Sequence, residues 1–276
     1  MSTTRIVRAG IVAALTALAV TVSIAAPASA ASPSTAAAPS AVEQPGWLRL
    51  GHFSPDTKQV DVRVASISGG DPVLELNSVG YGDVSDYRVL PAGTYTVSMI
   101  SAGSGDWSKV AISATVSVAS ADATTVAAYG PNSALQVRAF EDDLTTPTPG
   151  NARIRVVQAS TLSPSVDVKT STGLAVATGA KSGTATTYAE VPAGPWTLDL
   201  TAAGGKTDRV DVNVADGSVT TLFVLDNAQG GLTIVPILDS ADVGLTPVGG
   251  VQTGGGFLAS AQARGVGGAG LHALLS

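Results

Sequence analysis

Cysteine is absent from all 276 residues. That removes disulfide staples, thiol catalysis and a lipid-modified N-terminal cysteine together. Histidine occurs only as His52 and His272, and two histidines without cysteine cannot build the usual zinc sites. No stretch takes the form GxxxxGKS/T, so no phosphate loop is implied. Charged residues are 13% and aromatics 4%, the net charge is −6, and no basic cluster occurs. Nucleic acid and anionic lipid are therefore poor partners. Helical stripes of Leu, Glu and Lys are missing as well.

Valine, alanine, threonine and serine fill the chain instead, a mix that suits short strands. Residues 1–30 read as a secretory signal. Arg5 and Arg8 begin it, Ile11 to Ala26 is apolar, and Ala28-Ser29-Ala30 supplies a small-residue cleavage site. Cleavage after Ala30 leaves no membrane span. Residues 31–46 are rich in Ala, Ser, Pro and Thr and read as a disordered tether. Residues 240–276 read as a disordered Gly-rich tail.

An internal repeat organises the remainder. Leu48-Arg49-Leu50 precedes Ile154-Arg155-Val156 by 106 positions, and Val60-Asp61-Val62 precedes Val166-Asp167-Val168 by the same offset. Tyr87 to Gly93 matches Tyr188 to Gly194 at 101, and Thr124-Thr125-Val126 matches Thr220-Thr221-Leu222 at 96. Preserved order with a shrinking offset predicts duplication of one globular unit. The copies are placed at 47–143 and 152–239, with 144–151 as linker. The first copy is expected to fold by itself.

Within each copy the apolar period is two. Val60, Val62 and Val64 alternate with Asp61 and Arg63, and Tyr95, Val97 and Met99 alternate with Thr96 and Ser98. One apolar and one wet face per strand predicts an all-β fold of two small antiparallel β-sandwiches. In both copies Pro-Ala-Gly (residues 91–93 and 192–194) reads as a turn leading an aromatic, Tyr95 or Trp196, into the next strand facing the core.

At His52-Phe53-Ser54-Pro55-Asp56, Val60-Asp61-Val62, Tyr81 to Tyr87 and Leu90 to Tyr95 the chain resembles the bacterial exported family called domain of unknown function 4397. The resemblance is fuller in the first copy, because Gln158 replaces the histidine and Thr184 to Tyr188 lack both acids of Asp83 to Asp86. It implies export, an actinobacterial type of source and a β-rich fold resembling immunoglobulin-like or transthyretin-like sandwiches. It implies no activity, so no catalytic residue is carried over.

Candidate chemistry is thin. His52, Ser54 and Asp56 lie too close along one strand end to converge as a triad, and a hydrogen-bonding or loop-edge role is expected for His52. Asp83 reads as a turn cap, and Asp86 as the start of an exposed strand. Glu141-Asp142-Asp143 reads as solvated, with weak calcium binding as its alternative. Trp47 is expected to pack on the first copy. Trp107, in the turn Gly103 to Trp107, is the candidate ligand-stacking residue. No catalytic, metal or cofactor site is predicted. The expected protein is a monomeric, secreted, possibly envelope-attached binding or adhesion module without catalysis. Its partner is an unknown envelope component or glycan. The alternatives are a structural spacer of the envelope and, behind it, an exported hydrolase.

Overall fold

The computed structural model describes residues 44–241. The expected signal, the expected tether up to Glu43 and the expected tail from Asp242 onward, with His272, lie outside them. Gln44 and Pro45 are not loose, since Ser120 Oγ donates to the Gln44 carbonyl and the Ala121 amide to that of Pro45. The last residues of the expected tether, and Ser240 and Ala241 of the expected tail, therefore belong to the fold.

The first half comprises β1 (Gly46–Phe53), β2 (Val60–Ser66), β3 (Leu74–Val79), β4 (Arg88–Leu90), β5 (Gly93–Ser101), β6 (Ile112–Val118), β7 (Ala123–Tyr129) and β8 (Gln136–Asp142). The second comprises β9 (Asn151–Gln158), β10 (Ser165–Thr170), β11 (Ala175–Lys181), β12 (Thr184–Ala185), β13 (Ala189–Pro192), β14 (Gly194–Ala202), β15 (Thr207–Val214), β16 (Ser218–Asp226) and β17 (Leu232–Ala241). The fold is all-β. Among the described residues the one helical element is a single turn, Asn132–Ala134, and no helix is long and apolar enough to cross a membrane.

Each half holds two sheets in matching order. They are β4-β1-β7-β8 with β3-β2-β5-β6, and β13-β9-β16-β17 (with β12 also on β9) with β11-β10-β14-β15. Most pairs are antiparallel, but β1 runs parallel to β7, and β9 to β16. The alternating valines build the inner faces. Leu48, Leu50, Val62, Val64, Val97 and Val126 meet in the first half, and Ile154, Val156, Val168, Leu198, Leu200 and Leu222 in the second. Burying a side chain of this size removes it from water for about 1.5–3 kcal/mol.

The repeated sequence motifs have local causes. Asp61 accepts from the Ser78 and Gly103 amides, each at 2.9 Å. Asp167 accepts from the Gly179 amide at 2.6 Å. Both aspartates sit where the ladder to β3 or β11 slips register, and Ser78 and Gly179 take positive φ there, 55° and 56°. The Val-Asp-Val triplet thus pins a bulge. After each Pro-Ala-Gly turn the aromatic reaches back four residues. Tyr95 Oη donates to the Pro91 carbonyl at 2.7 Å and Trp196 Nε1 to that of Pro192 at 3.2 Å. Tyr95 is buried, whereas Trp196 is only partly so and packs against the core.

The expectation of one wet face per strand fails on β1, β7, β9 and β16. Ala123–Tyr129 is buried at all seven positions, and Ser218–Leu225 is buried throughout. The outer faces of these strands meet in a third core, where Phe53, Tyr129 and Phe140 pack with Val157, Phe223 and Ile237. Phe53 and Phe223 have ring centroids 4.4 Å apart, tilted by 35°. Tyr81 Oη donates to the Asp226 carbonyl and accepts from its amide. Gly183 lies against Tyr129, where a Cβ would overlap the tyrosine hydroxyl.

Candidate functional site

Two arginines stand on the outer faces of β1 and β9, at positions matched by the 106-residue offset. Arg49 is fully buried and pairs with Asp239 of the other half. Arg155 is buried and pairs with Asp142 of the other half. The remaining contacts match one for one. Arg49 Nε donates to Thr125 Oγ1 at 2.7 Å, and Arg155 Nε to Thr221 Oγ1 at 2.9 Å. Arg49 Nη1 reaches the Leu238 carbonyl at 3.3 Å, and Arg155 Nη1 that of Glu141 at 2.7 Å. Tyr87 Oη donates to Asp142 at 2.6 Å, and Tyr188 Oη to Asp239 at 2.7 Å. Each guanidinium also covers a tyrosine ring, Tyr87 at 4.5 Å and Tyr188 at 4.7 Å.

Ionised groups tolerate such burial only when paired and fully hydrogen-bonded. Burial pulls the Arg49 pKa down, and Asp239, Tyr87 and Asp142 more than reverse it, so it lies above the ordinary arginine value. Burial pushes both tyrosines far up. They stay neutral and act as donors to the carboxylates.

Asp142 therefore corrects the sequence reading of the acidic run as solvated. Glu141 and Asp143 are exposed, but Asp142 alternates inward and is 7% exposed. The linker is pinned as well. Arg153 bonds Asp143 and the Thr145 carbonyl, and it holds the Asp143 carboxyl well below the usual carboxylate range. Thr148 and Asn151 donate to Glu190, and the Gly150 amide donates to Asp216.

Beside Asp142, Arg155 and Tyr188 opens a cleft of about 1000 Å³. Trp47, Arg138 and Asp143 line it from the first half, Thr145 from the linker, and Arg153 and Thr187 from the second. Besides Arg155 it offers the guanidinium groups of Arg138 and Arg153, the exposed carboxylates of Asp122, Glu141 and Asp143, and aromatic surface, a set suited to hydroxyl-rich or mixed-charge ligands. Among the described residues no cluster of three metal-binding side chains occurs.

The other candidates fall elsewhere. Trp107 is half-buried, and the Arg63 guanidinium lies 4.0 Å from its ring centroid, so one stacking face is occupied. Ser54 Oγ contacts Asp56 at 3.3 Å, yet His52 joins neither. Asp83 caps its turn by accepting from the Gly80 amide at 2.7 Å.

His52 is 1% exposed, and neither ring nitrogen has a partner. This contradicts a loop-edge role, because position 52 follows Leu48 and Leu50 onto the inner face of β1. Burial lowers its pKa from 6.5, against a weaker upward pull from the backbone of Thr57 and Lys58. The unfolded imidazole takes a proton near 6.5 while the folded one resists, so the unfolded chain binds more protons below that pH. This contribution to stability is present above pH 6.5 and is lost as pH falls toward the folded pKa. Urea midpoints measured at pH ~7.5 and ~5 should fall less in His52→Gln than in the natural chain. An unchanged fall would remove His52 as the cause.

Residues 46–169 match the family model described as a domain of unknown function (DUF4397). No curated protein matches. Among solved structures, the Bacillus anthracis TIE protein is 13% identical with a TM-score of 0.22, over 71% of this chain and 42% of that one, so this chain spans less than half its length. The CBM26 module of Eubacterium rectale Amy13K, solved with maltoheptaose, is 12% identical with a TM-score of 0.22, over 68% of this chain and 96% of that one. The tip fimbrial protein Mfa3 of Porphyromonas gingivalis is 8% identical with a TM-score of 0.23, over 70% and 99%. Likenesses of this degree say nothing of activity or ligand.

Proposed function

We propose that the protein is an exported, non-catalytic binding module, made by duplication of one sandwich unit, whose ligand occupies the cleft between the halves. The observation that carries this is the cleft itself, built jointly by β1, β8, β9 and the linker. Its polar side chains support binding over turnover. Asp142, Arg155 and Tyr188 are committed to the buried network, and Asp143 is tied to Arg153, so none of these four is free to act as nucleophile or base, and no histidine lines the cleft beside the exposed Asp122 and Glu141. His52, the histidine among the described residues, is enclosed. The ligand class is a glycan or another polar component of the producing cell's envelope, met by a single chain. A spacer role is the second reading, favoured by the ion-paired junction, which suits a rigid block.

The test is capture of the producing cell's envelope fraction by the full chain. Arg138→Glu and Thr187→Trp change exposed positions of the cleft, and each should weaken capture by at least about tenfold, a loss of ~1.4 kcal/mol. Trp107→Ala should leave capture unchanged. Loss with Trp107→Ala alone would move the ligand to the sheet face beside Arg63, and no capture by any chain would favour the spacer.

A further inference from the structure

The junction is reciprocal. The first half supplies Arg49, Tyr87, Thr125 and Asp142, and the second supplies Arg155, Tyr188, Thr221 and Asp239 in the same roles. Each arginine crosses to the other half's aspartate, while each threonine stays with the arginine of its own half. Such an arrangement is an isologous interface, the kind found about a two-fold axis. Each outer face thus carries both members of the charge pair it needs.

We infer that this face is self-complementary, and that a second copy of the same half, from another chain, fits it as the linked half does. In such a pair Arg49 of one molecule meets Asp142 of the next, twice over. The apolar surface allows the exchange. Phe53 and Ala159 occupy matching positions, as do Ala127 and Phe223. The linked pair places Phe53 on Phe223. A pair of first halves would set each Phe53 over Ala127, so at these positions the summed side-chain volume stays the same. The linked arrangement prevails because a short linker keeps the second half at an effective concentration of about millimolar or above.

Charge exchange in the full chain separates the two pairings. The double variant Arg155→Asp/Asp239→Arg sets like charges against Arg49 and Asp142 within the chain. It keeps opposite charges between two first halves and between two second halves. This variant should retain the β spectrum and sediment at twice the chain mass or more. Adding Arg49→Asp and Asp142→Arg restores opposite charges within the chain, and this quadruple variant should return to a monomer. A double variant that stays a folded monomer overturns the inference. So does one that unfolds while the quadruple variant folds, because the exchanged charges are then tolerated but the like halves do not pair. A quadruple variant that fails to fold overturns it too, since the two ion pairs are then not equivalent.

Discussion

Arg49→Met is expected to cost about 3–5 kcal/mol of folding stability, because it leaves the Asp239 carboxylate buried without its cation. Thr221 and Tyr188 still donate to that carboxylate, but two neutral hydroxyls do not balance a charge removed from water. Urea unfolding of the full chain, followed by far-UV circular dichroism, measures the loss. Arg49→Met/Asp239→Leu should recover most of it, since a buried ion pair replaced by apolar groups of similar volume is often neutral or stabilising. The pair's value then lies in registering one half on the other. A single variant within about 0.5 kcal/mol of the natural chain would behave like a surface substitution and contradict the burial of Arg49.

Phe223→Ala is expected to cost about 3–5 kcal/mol, the usual loss for emptying an aromatic site in a close-packed core. The ring is fully enclosed and touches Phe53 of the other half. Phe53→Ala should cost a comparable amount. The two losses should not add, because the rings contribute about 0.5–1.5 kcal/mol to each other beyond area burial. Strict additivity in the double variant would deny the contact between halves.

Much of the fold was legible from periodicity. The valines of β2 and β10 and the alternation along β5 and β14 point inward as the pattern demands, and the Pro-Ala-Gly turns sit where their chemistry places them. The junction was not legible as a site, although its residues were in view. Arg49, Thr125 and Tyr87 each have a partner at a repeat offset. A period-two pattern cannot tell a polar residue facing water from one facing a second body. Two signals pointed past that reading. An arginine flanked by apolar residues recurs in Leu48-Arg49-Leu50 and Ile154-Arg155-Val156, and the run Leu222–Leu225 is apolar on both faces, which marks a strand covered on both sides. Composition averages over a strand whose side chains alternate, so it does not separate Asp142 from its exposed neighbours Glu141 and Asp143. The cleft depends on how the halves meet, which no local pattern encodes.

Burial of Arg49 and Asp142 on one face also counts against a first half that folds by itself, since alone it would present that face to water. Both halves and their junction are expected to unfold as one cooperative structure. Differential scanning calorimetry of the full chain tests it most directly. A single transition, with calorimetric and van't Hoff enthalpies in agreement, is the predicted result. Two resolved transitions, one for each half and each indifferent to Arg49→Met, would contradict it.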